Sequence, residues 1–296
     1  MKQASTSTPL NQAREEYLLF LANYRNSSRH TLRSYRTTLL DLTRFLEEQI
    51  YNSAVLLDYI TVKDLQDYIQ YRRERGNSPR TVNNALVCLR SFWSYAVKRG
   101  LTTNNPTLLL EKVHYTRKER IYLTEKELKR FLDKVDRPII YAACETIIHT
   151  GLRVSELLNL QVTDVNFERR TIFVAHGKGD KQRTIPISNT LYPILSDYYQ
   201  NQRPIRESNL FFATAKSGKL SAQYLNQCIS EAAKNAGLPH ISAHILRHSF
   251  ASALVRNNAN LVCVQRLLGH SDLKTTSVYL HANREDLMKT VNILSV

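Results

Sequence analysis

Residues 243–252 read AHILRHSFAS, a segment in which His244 and Arg247 are nearly one helical turn apart and share one face of a helix. Further helical segments lie in GLRVSELLNL at 151–160 and LLGHSDLKTTSVYLHA at 267–282, whereas HGKGDKQR at 176–183 carries glycines typical of a turn. Helices that surround one short hairpin predict a C-terminal region that is mainly α with a small β-sheet.

A change of pattern marks the start of this region. Thr124 and Glu127, three residues apart, form a capping-box signature and begin a new run of helices. The only strands that the pattern predicts are 171–175 and 183–187, which flank a glycine-containing hairpin turn. Further helices are predicted at 188–202, 221–236, 242–257, 260–268 and 272–279.

The N-terminal region has helical patterns and no strand pattern. Apolar residues recur every three to four positions over 10–25. Ser28, Thr61 and Ser78 each stand where the N-cap of a further helix is expected. Four helices without strands predict a compact all-α bundle.

The length of the chain favours two domains, because 296 residues exceed the size at which a single hydrophobic core usually stops growing. A segment without sustained periodicity, containing Pro106 and many basic residues, separates the two helical regions. We therefore predict an N-terminal helical domain at 1–103, a linker at 104–122 and a second domain at 123–296.

The net charge indicates a polyanionic partner. The chain has 41 Lys and Arg against 26 Asp and Glu, a formal charge of +15. Residues 1–123 contain 19 basic and 11 acidic residues, and residues 124–296 contain 22 and 15. An excess in both halves favours two domains that each contact a phosphate backbone, with nucleic acid as the first candidate. A ribosomal-type or simply basic protein is the alternative.

Cysteine spacing and hydropathy argue against several classes of protein. The four cysteines contain no CxxC pair, so neither a zinc site nor a disulfide framework is expected. No apolar stretch is long enough to span a bilayer, and the polar start MKQASTSTPLNQ lacks the apolar core of a signal peptide. We expect a cytoplasmic protein that needs no metal or cofactor.

Two arginines suit chemistry at a phosphate group. In phosphoryl transfer, negative charge builds on the non-bridging oxygens, and catalysis consists mostly of positioning and charge stabilisation. Arg153 and Arg247 can clamp one phosphate through their planar, permanently charged guanidinium groups. Taken singly, each is more typical of a surface or salt-bridging arginine, and the surrounding segments GLRVSEL and HILRHSF favour the role at a phosphate. Glu156 either holds the Arg153 guanidinium in place or forms an ordinary i,i+3 ion pair with it.

The remaining candidates supply a nucleophile and a proton. Lys178 lies between two glycines and can donate a proton to a leaving alkoxide, with Lys181 as a competitor for that role. Tyr279 is the candidate nucleophile, since nearby cations favour the phenolate form. His270, nine residues before it, either hydrogen-bonds a phosphate oxygen or caps a helix.

Two other chemistries fit less well. His244 and His248 have the spacing of zinc ligands, but there is no HExxH motif or third ligand at a standard interval, and Arg247 between them repels a cation. No serine stands in a GxSxG motif.

In order and spacing, the segments GLRVSEL, GKGDKQR, HILRHSFAS, LLGHS and TTSVYLH resemble the motifs of the tyrosine site-specific recombinase (integrase) family. SRHTLRSYRTTLLDLTRFL and SPRTVNNALVCLRSFWSY look like the core-binding domain of its Xer-like, two-domain members. Ile245 departs from a position that is often polar or proline in relatives. The short region before the second domain leaves no room for the arm-binding domain of lambda-type integrases.

The resemblance implies a fold and a mechanism. The N-terminal domain would be a four-helix, SAM-like core-binding domain that forms a clamp around DNA with a mixed α/β catalytic domain. Arg153, Arg247 and His244 would act on the scissile phosphate, and His270 would occupy the fifth motif position. Lys178 would protonate the 5′-oxygen, while Tyr279 would form a 3′-phosphotyrosyl link.

The resemblance also implies partners. The first partner would be double-stranded DNA with a short inverted-repeat core site. The chain would act on this DNA as part of a tetramer, formed by this chain alone or together with a paralogous recombinase. A C-terminal amphipathic helix, with Leu287, Val291 and Leu294, either docks on a neighbouring subunit or packs on its own domain.

Several functions agree with these sequence features. Resolution of chromosome or plasmid dimers, linked to chromosome segregation and cell division, is the preferred one. Integration or transposition of a mobile element is the alternative within the family. DNA relaxation by a type IB topoisomerase uses the same tyrosine chemistry, and a non-enzymatic DNA-binding protein belongs to a different class.

Overall fold

The computed structural model describes residues 8–116, 121–175, 182–204 and 208–269. By its internal contacts the chain divides into two compact units, Met1–Lys118 and Glu119–Val296. Several sequence-based predictions lie outside the described residues: the hairpin turn, the helix at 272–279 and the C-terminal amphipathic helix. None of the helices that the structure describes is both long and apolar enough to cross a lipid bilayer.

The first unit contains the four predicted helices. They are α1 (Leu10–Asn23), α2 (Arg29–Phe45), α3 (Val62–Glu74) and α4 (Pro79–Lys98). Ser28 and Ser78 cap α2 and α4, since the hydroxyl of each accepts a hydrogen bond from the backbone N–H three residues later at 3.2 Å. Thr61 and Asp64 form a reciprocal capping box at the start of α3. The three predicted N-caps are thus confirmed, because capping depends on local sequence alone.

Short irregular helices extend this unit. Helix α2 continues into a π-helical turn at Leu46–Tyr51, and Leu57–Tyr59 and Pro106–Leu109 are 3₁₀ turns. Leu110, inside the segment predicted as a linker, is buried in the core of the first unit, while Leu123 is buried in the core of the second. Part of that segment therefore packs as a structural element of the first unit.

The second unit is mainly helical with a small sheet, as predicted. Thr124 begins its first helix through a capping box with Glu127. Its elements are α5 (Glu125–Leu132), α6 (Pro138–Thr150), α7 (Val154–Leu158), β1 (Val165–Asn166), β2 (Thr171–Val174), β3 (Arg183–Pro186), α8 (Leu191–Asp197, continued by a π turn at Tyr198–Gln202), α9 (Ala222–Asn235), α10 (Ala243–Arg256) and α11 (Leu261–Leu268).

The sheet has three antiparallel strands in the order β1-β2-β3. Ile172 pairs with Ile185 across the predicted hairpin and with Val165 on the other side, and all three side chains are buried. The expectation of only two strands was wrong, because the two residues of β1 are too few to show an alternating pattern.

Helix α6 lies at the centre of the second unit and packs against α8, α9 and α10. It is apolar on most of its surface, with Ile140, Ala143, Cys144 and Ile147 fully buried, which is typical of a helix enclosed by others. It ends at Gly151, whose φ of +64° is in the left-handed region. This glycine brings the end of α6 against α10 and α11, and the candidate site lies at that junction.

Candidate active site

Arg153 lies at the junction between α6 and α7, two residues after Gly151. It is the N-cap of α7, and its backbone N–H donates a hydrogen bond to Glu156 Oε2 at 2.8 Å. Its Nη1 donates to Glu156 Oε1 at 2.6 Å. The three-residue spacing brings this carboxylate back to the start of its own helix, so it fixes both the backbone and the side chain of Arg153.

Glu156 is a buried anion whose side chain is 1% exposed. Its two oxygens also accept hydrogen bonds from Arg183, Nη1 to Oε1 at 3.0 Å and Nη2 to Oε2 at 2.8 Å. Nη1 of Arg247 lies 3.9 Å from Oε2. Burial acts to raise the pKa of Glu156, but hydrogen bonds from Arg183 and Arg153 outweigh it and hold that pKa below its ordinary value. Among the described residues, three guanidinium groups therefore surround one ionised carboxylate.

Arg247 lies on α10 and is 4% exposed. Its Nη1 donates to the carbonyl of Gly151, and its Nη2 donates to the carbonyl of Leu268 at 2.8 Å. The side chain thus connects the end of α6 with the end of α11. A buried arginine is stable here because carbonyl oxygens and the nearby carboxylate compensate its loss of hydration.

The C-terminal end of α11 brings the three arginines together. The carbonyls of Leu267, Leu268 and Gly269 accept hydrogen bonds from Arg183 Nε at 2.8 Å, Arg247 Nη2 at 2.8 Å and Arg153 Nη2 at 3.3 Å. Carbonyls in the last turn of a helix lack intrahelical partners and form the negative end of its dipole. Cationic side chains from three different elements therefore converge where α11 ends.

Of the other residues considered from the sequence, two histidines lie in the part of the chain that the structure describes. His244 is exposed on α10, nearly one turn before Arg247. His248 is buried, with Nδ1 at 3.3 Å from the hydroxyl of Ser252. The described residues contain no group of three His, Cys, Asp or Glu side chains arranged to hold a metal ion. Lys178, its competitor Lys181, His270 and Tyr279 lie outside the described residues.

Arg183 was not among the site residues predicted from the sequence. It is the first residue of β3, its side chain is only 10% exposed, and it shares Glu156 with Arg153. A weak signal was present in the sequence, since this basic residue begins the predicted strand 183–187 and ends the segment HGKGDKQR, which contains Lys178. Its partners are 27 and 84 residues away, so spacing along the chain does not reveal them.

The arrangement is suited to binding an anion. Arg153 and Arg247 reach the same helix end from different elements. The positive charges of Arg153, Arg183 and Arg247 together exceed the single negative charge of Glu156. Arg153, with a side chain 24% exposed, is the more accessible of the two. Guanidinium groups fixed in this way can donate parallel hydrogen bonds to the oxygens of a phosphate.

Fold and site define a two-unit helical protein with an arginine cluster suited to phosphoryl transfer, and comparison with known proteins assigns it. The chain belongs to the phage integrase family: residues 121–286 match the model of that family, and residues 15–100 match the phage integrase N-terminal SAM-like domain. The resemblance found in the sequence is thereby confirmed, and the chain is a tyrosine recombinase.

Individual relatives agree with this assignment. The chain is 33% identical to tyrosine recombinase XerC of Bacillus licheniformis over 93% of its length and 92% of that protein. It is 31% identical to tyrosine recombinase XerD of Staphylococcus saprophyticus, over 94% and 96%. Its structure resembles that of XerH site-specific recombinase bound to difH substrate, with a TM-score of 0.73, 26% identity and coverage of 97% and 84%.

Proposed function

We propose that this protein is a Xer-like site-specific recombinase that cuts and rejoins double-stranded DNA through a covalent phosphotyrosyl intermediate. The observation that carries the proposal is the convergence of Arg153 and Arg247 on the end of α11, directly before His270 in the chain. The relatives named above support the same reaction and the same kind of partner.

The proposed roles follow from the chemistry of each side chain. Arg153 and Arg247 bind the non-bridging oxygens of the scissile phosphate and stabilise the charge that develops there. His244 and His270 donate hydrogen bonds to the same group. Because only about one phenol in 10³ is ionised at neutral pH, the cations must also favour the phenolate of Tyr279.

Cleavage in the proposed reaction replaces one phosphoester bond by another. Tyr279 first loses its phenolic proton to solvent, and its phenolate oxygen then attacks phosphorus. A 3′-phosphotyrosyl bond forms while the bond from phosphorus to the 5′-oxygen breaks. Lys178 supplies the proton that this oxygen takes up. Attack by the 5′-hydroxyl of another strand then reverses the step, so the strands are exchanged without an external energy source.

The proposal extends to partners and biological role. A short inverted-repeat core site is bound by a tetramer of this chain, or of this chain with a paralogous recombinase, on two DNA duplexes. The charge of +15 favours this binding, and we expect affinity to fall steeply with salt concentration. Resolution of chromosome or plasmid dimers, and hence a cytoplasmic location with access to the chromosome, agrees best with the XerC and XerD relatives.

Covalent trapping tests the nucleophile. The protein is incubated with a pool of nicked duplexes of randomised sequence, because a nick lets the short 5′-fragment diffuse away and traps the intermediate. We expect an adduct that survives denaturant with the wild type and none with Tyr279→Phe. The attached DNA is then sequenced to give the recognised site.

A second tyrosine variant provides the control. Tyr224 lies in the same unit and is 37% exposed, so Tyr224→Phe removes one phenolic hydroxyl without disturbing the core. This variant should form the adduct as the wild type does. An adduct of normal yield in Tyr279→Phe would show that another residue is the nucleophile.

A further inference from the structure

Arg183 connects three elements of the second unit. It begins β3, its Nη1 and Nη2 donate to both oxygens of Glu156 on α7, and its Nε donates to the carbonyl of Leu267 on α11. Three hydrogen bonds with N···O distances of 2.8–3.0 Å hold the guanidinium plane from two sides. This fork geometry is available to arginine and not to lysine.

The same guanidinium packs against Gly269, the residue before His270. Gly269 has a φ of +61°, and a Cβ added there would lie 3.0 Å from Arg183 Nη1 and 3.2 Å from its Cζ. The Arg183 side chain therefore fills the space beside this glycine. Together with the hydrogen bond to the carbonyl of Leu267, this contact places the Arg183 side chain against the last residues of α11 and its C-cap.

Sharing of Glu156 has an electrostatic consequence for Arg153. Both oxygens of the Glu156 carboxylate bind Arg153, Oε2 through its backbone N–H and Oε1 through its Nη1. Arg183 occupies each oxygen with one further hydrogen bond. It thereby fixes the orientation of the carboxylate and adds a positive charge that keeps the cluster attractive to an anion.

We propose that Arg183 is a positioning residue for strand cleavage, which orients Arg153 through Glu156 and holds the end of α11 that leads to His270. The inference rests on the proposed function of Arg153 and His270. In this scheme Arg183 does not contact DNA and acts only through its hydrogen bonds to Glu156 and to the carbonyl of Leu267.

The test is Arg183→Lys, which keeps the charge but loses the fork. Cleavage is measured in a single turnover, with saturating protein and a nicked duplex that the wild type cleaves. We expect the cleavage rate to fall about 10- to 100-fold, as expected for a small misplacement of groups that act on the phosphate. The Kd for the same duplex should change less than about twofold, since no phosphate contact is removed.

Arg203→Lys is the matched control for a purely structural arginine. Arg203 is partly buried in the same unit and donates to the carbonyls of Phe211, Ser208 and Leu210. This variant should lower the thermal midpoint as Arg183→Lys does, while the cleavage rate of the folded protein stays within about twofold of the wild type. Equal cleavage rates in the two variants, or a loss in Arg183→Lys that appears only as weaker DNA binding, would overturn the proposal.

A double variant tests whether Arg183 acts through Glu156. If it does, Arg183→Lys combined with Glu156→Gln should cleave about as slowly as the slower single variant. Losses that multiply would show independent action and contradict the proposal. Absence of any adduct with the wild type is a separate result, which would refute the proposed function itself.

Discussion

Replacement of Gly151 by alanine should destabilise the second unit through two separate effects. Gly151 has a φ of +64°, and a Cβ there would lie 2.5 Å from Phe250 Cδ1 on α10 and 2.9 Å from Leu268 Cδ2 on α11. Alanine is disfavoured in this backbone conformation, and its methyl group would overlap atoms of two other helices. The carbonyl of the same residue accepts a hydrogen bond from Arg247, so displacement would also disturb the candidate site.

The magnitude follows from these two effects. The left-handed conformation costs alanine about 1–2 kcal/mol, which the lower entropy of its unfolded chain offsets by about 0.4–1 kcal/mol. Overpacking against Phe250 and Leu268 adds about 1–3 kcal/mol. We therefore expect a total loss of about 1–4.5 kcal/mol, which lowers the thermal midpoint of a unit of this size by about 2–18 °C.

Gly237→Ala separates the two effects. Gly237 lies in the same unit with a φ of +65°, but no atom lies within 4 Å of a Cβ placed there. It should show the backbone effect alone, about 1 kcal/mol or 2–4 °C. Thermal unfolding followed by circular dichroism measures both variants. If Gly151→Ala loses no more stability than Gly237→Ala, then Phe250 and Leu268 do not pack closely enough against Gly151 to exclude a methyl group.

Two further predictions concern ionisation and thiol exposure. Because the pKa of Glu156 is lowered in the folded protein, its contribution to stability is present above the ordinary pKa of about 4.5 and is lost as the pH falls through the folded value. The free energy of unfolding, measured by urea titration, should therefore differ less between wild type and Glu156→Gln below about pH 4.5 than above it. A difference that does not change with pH would contradict this prediction. For the thiols, a reagent such as Ellman's should modify one cysteine rapidly in the native protein, and rapid modification of more than one would contradict the burial seen. The reactive cysteine is the exposed Cys263, whereas Cys88, Cys144 and Cys228 are buried. Burial also raises the pKa of the Cys88 thiol to about 12 and raises that of Cys144.

Features that depend on neighbours in sequence could be predicted. Ser28, Thr61, Ser78 and Thr124 cap the helices that the sequence assigned to them, because each hydroxyl binds a backbone N–H only three residues away. The pairing of Arg153 with Glu156 is of the same kind, since it joins positions i and i+3. What the sequence left open was whether this pair is an ordinary surface contact, and burial of Glu156 shows that it is not.

Features that depend on the tertiary fold could not be predicted in this way. The pairing of Arg183 with Glu156 arises only when β3 packs beside α7, and the hydrogen bond from Arg153 to Gly269 joins residues 116 positions apart. Strand β1 was missed because two residues carry no measurable period. Leu110 looked like part of a linker because its burial comes from packing against helices of the first unit.

Attachment of the arginines to the end of α11 has a consequence for the energetics of catalysis. A free arginine side chain loses about 2 kcal/mol of rotamer entropy when it is immobilised. Arg247 is held by the carbonyls of Gly151 and Leu268, and Arg153 by Glu156 and the carbonyl of Gly269. Folding itself therefore restricts these side chains, and a phosphate that enters the site meets preorganised donors, so less of its binding energy is spent on ordering them.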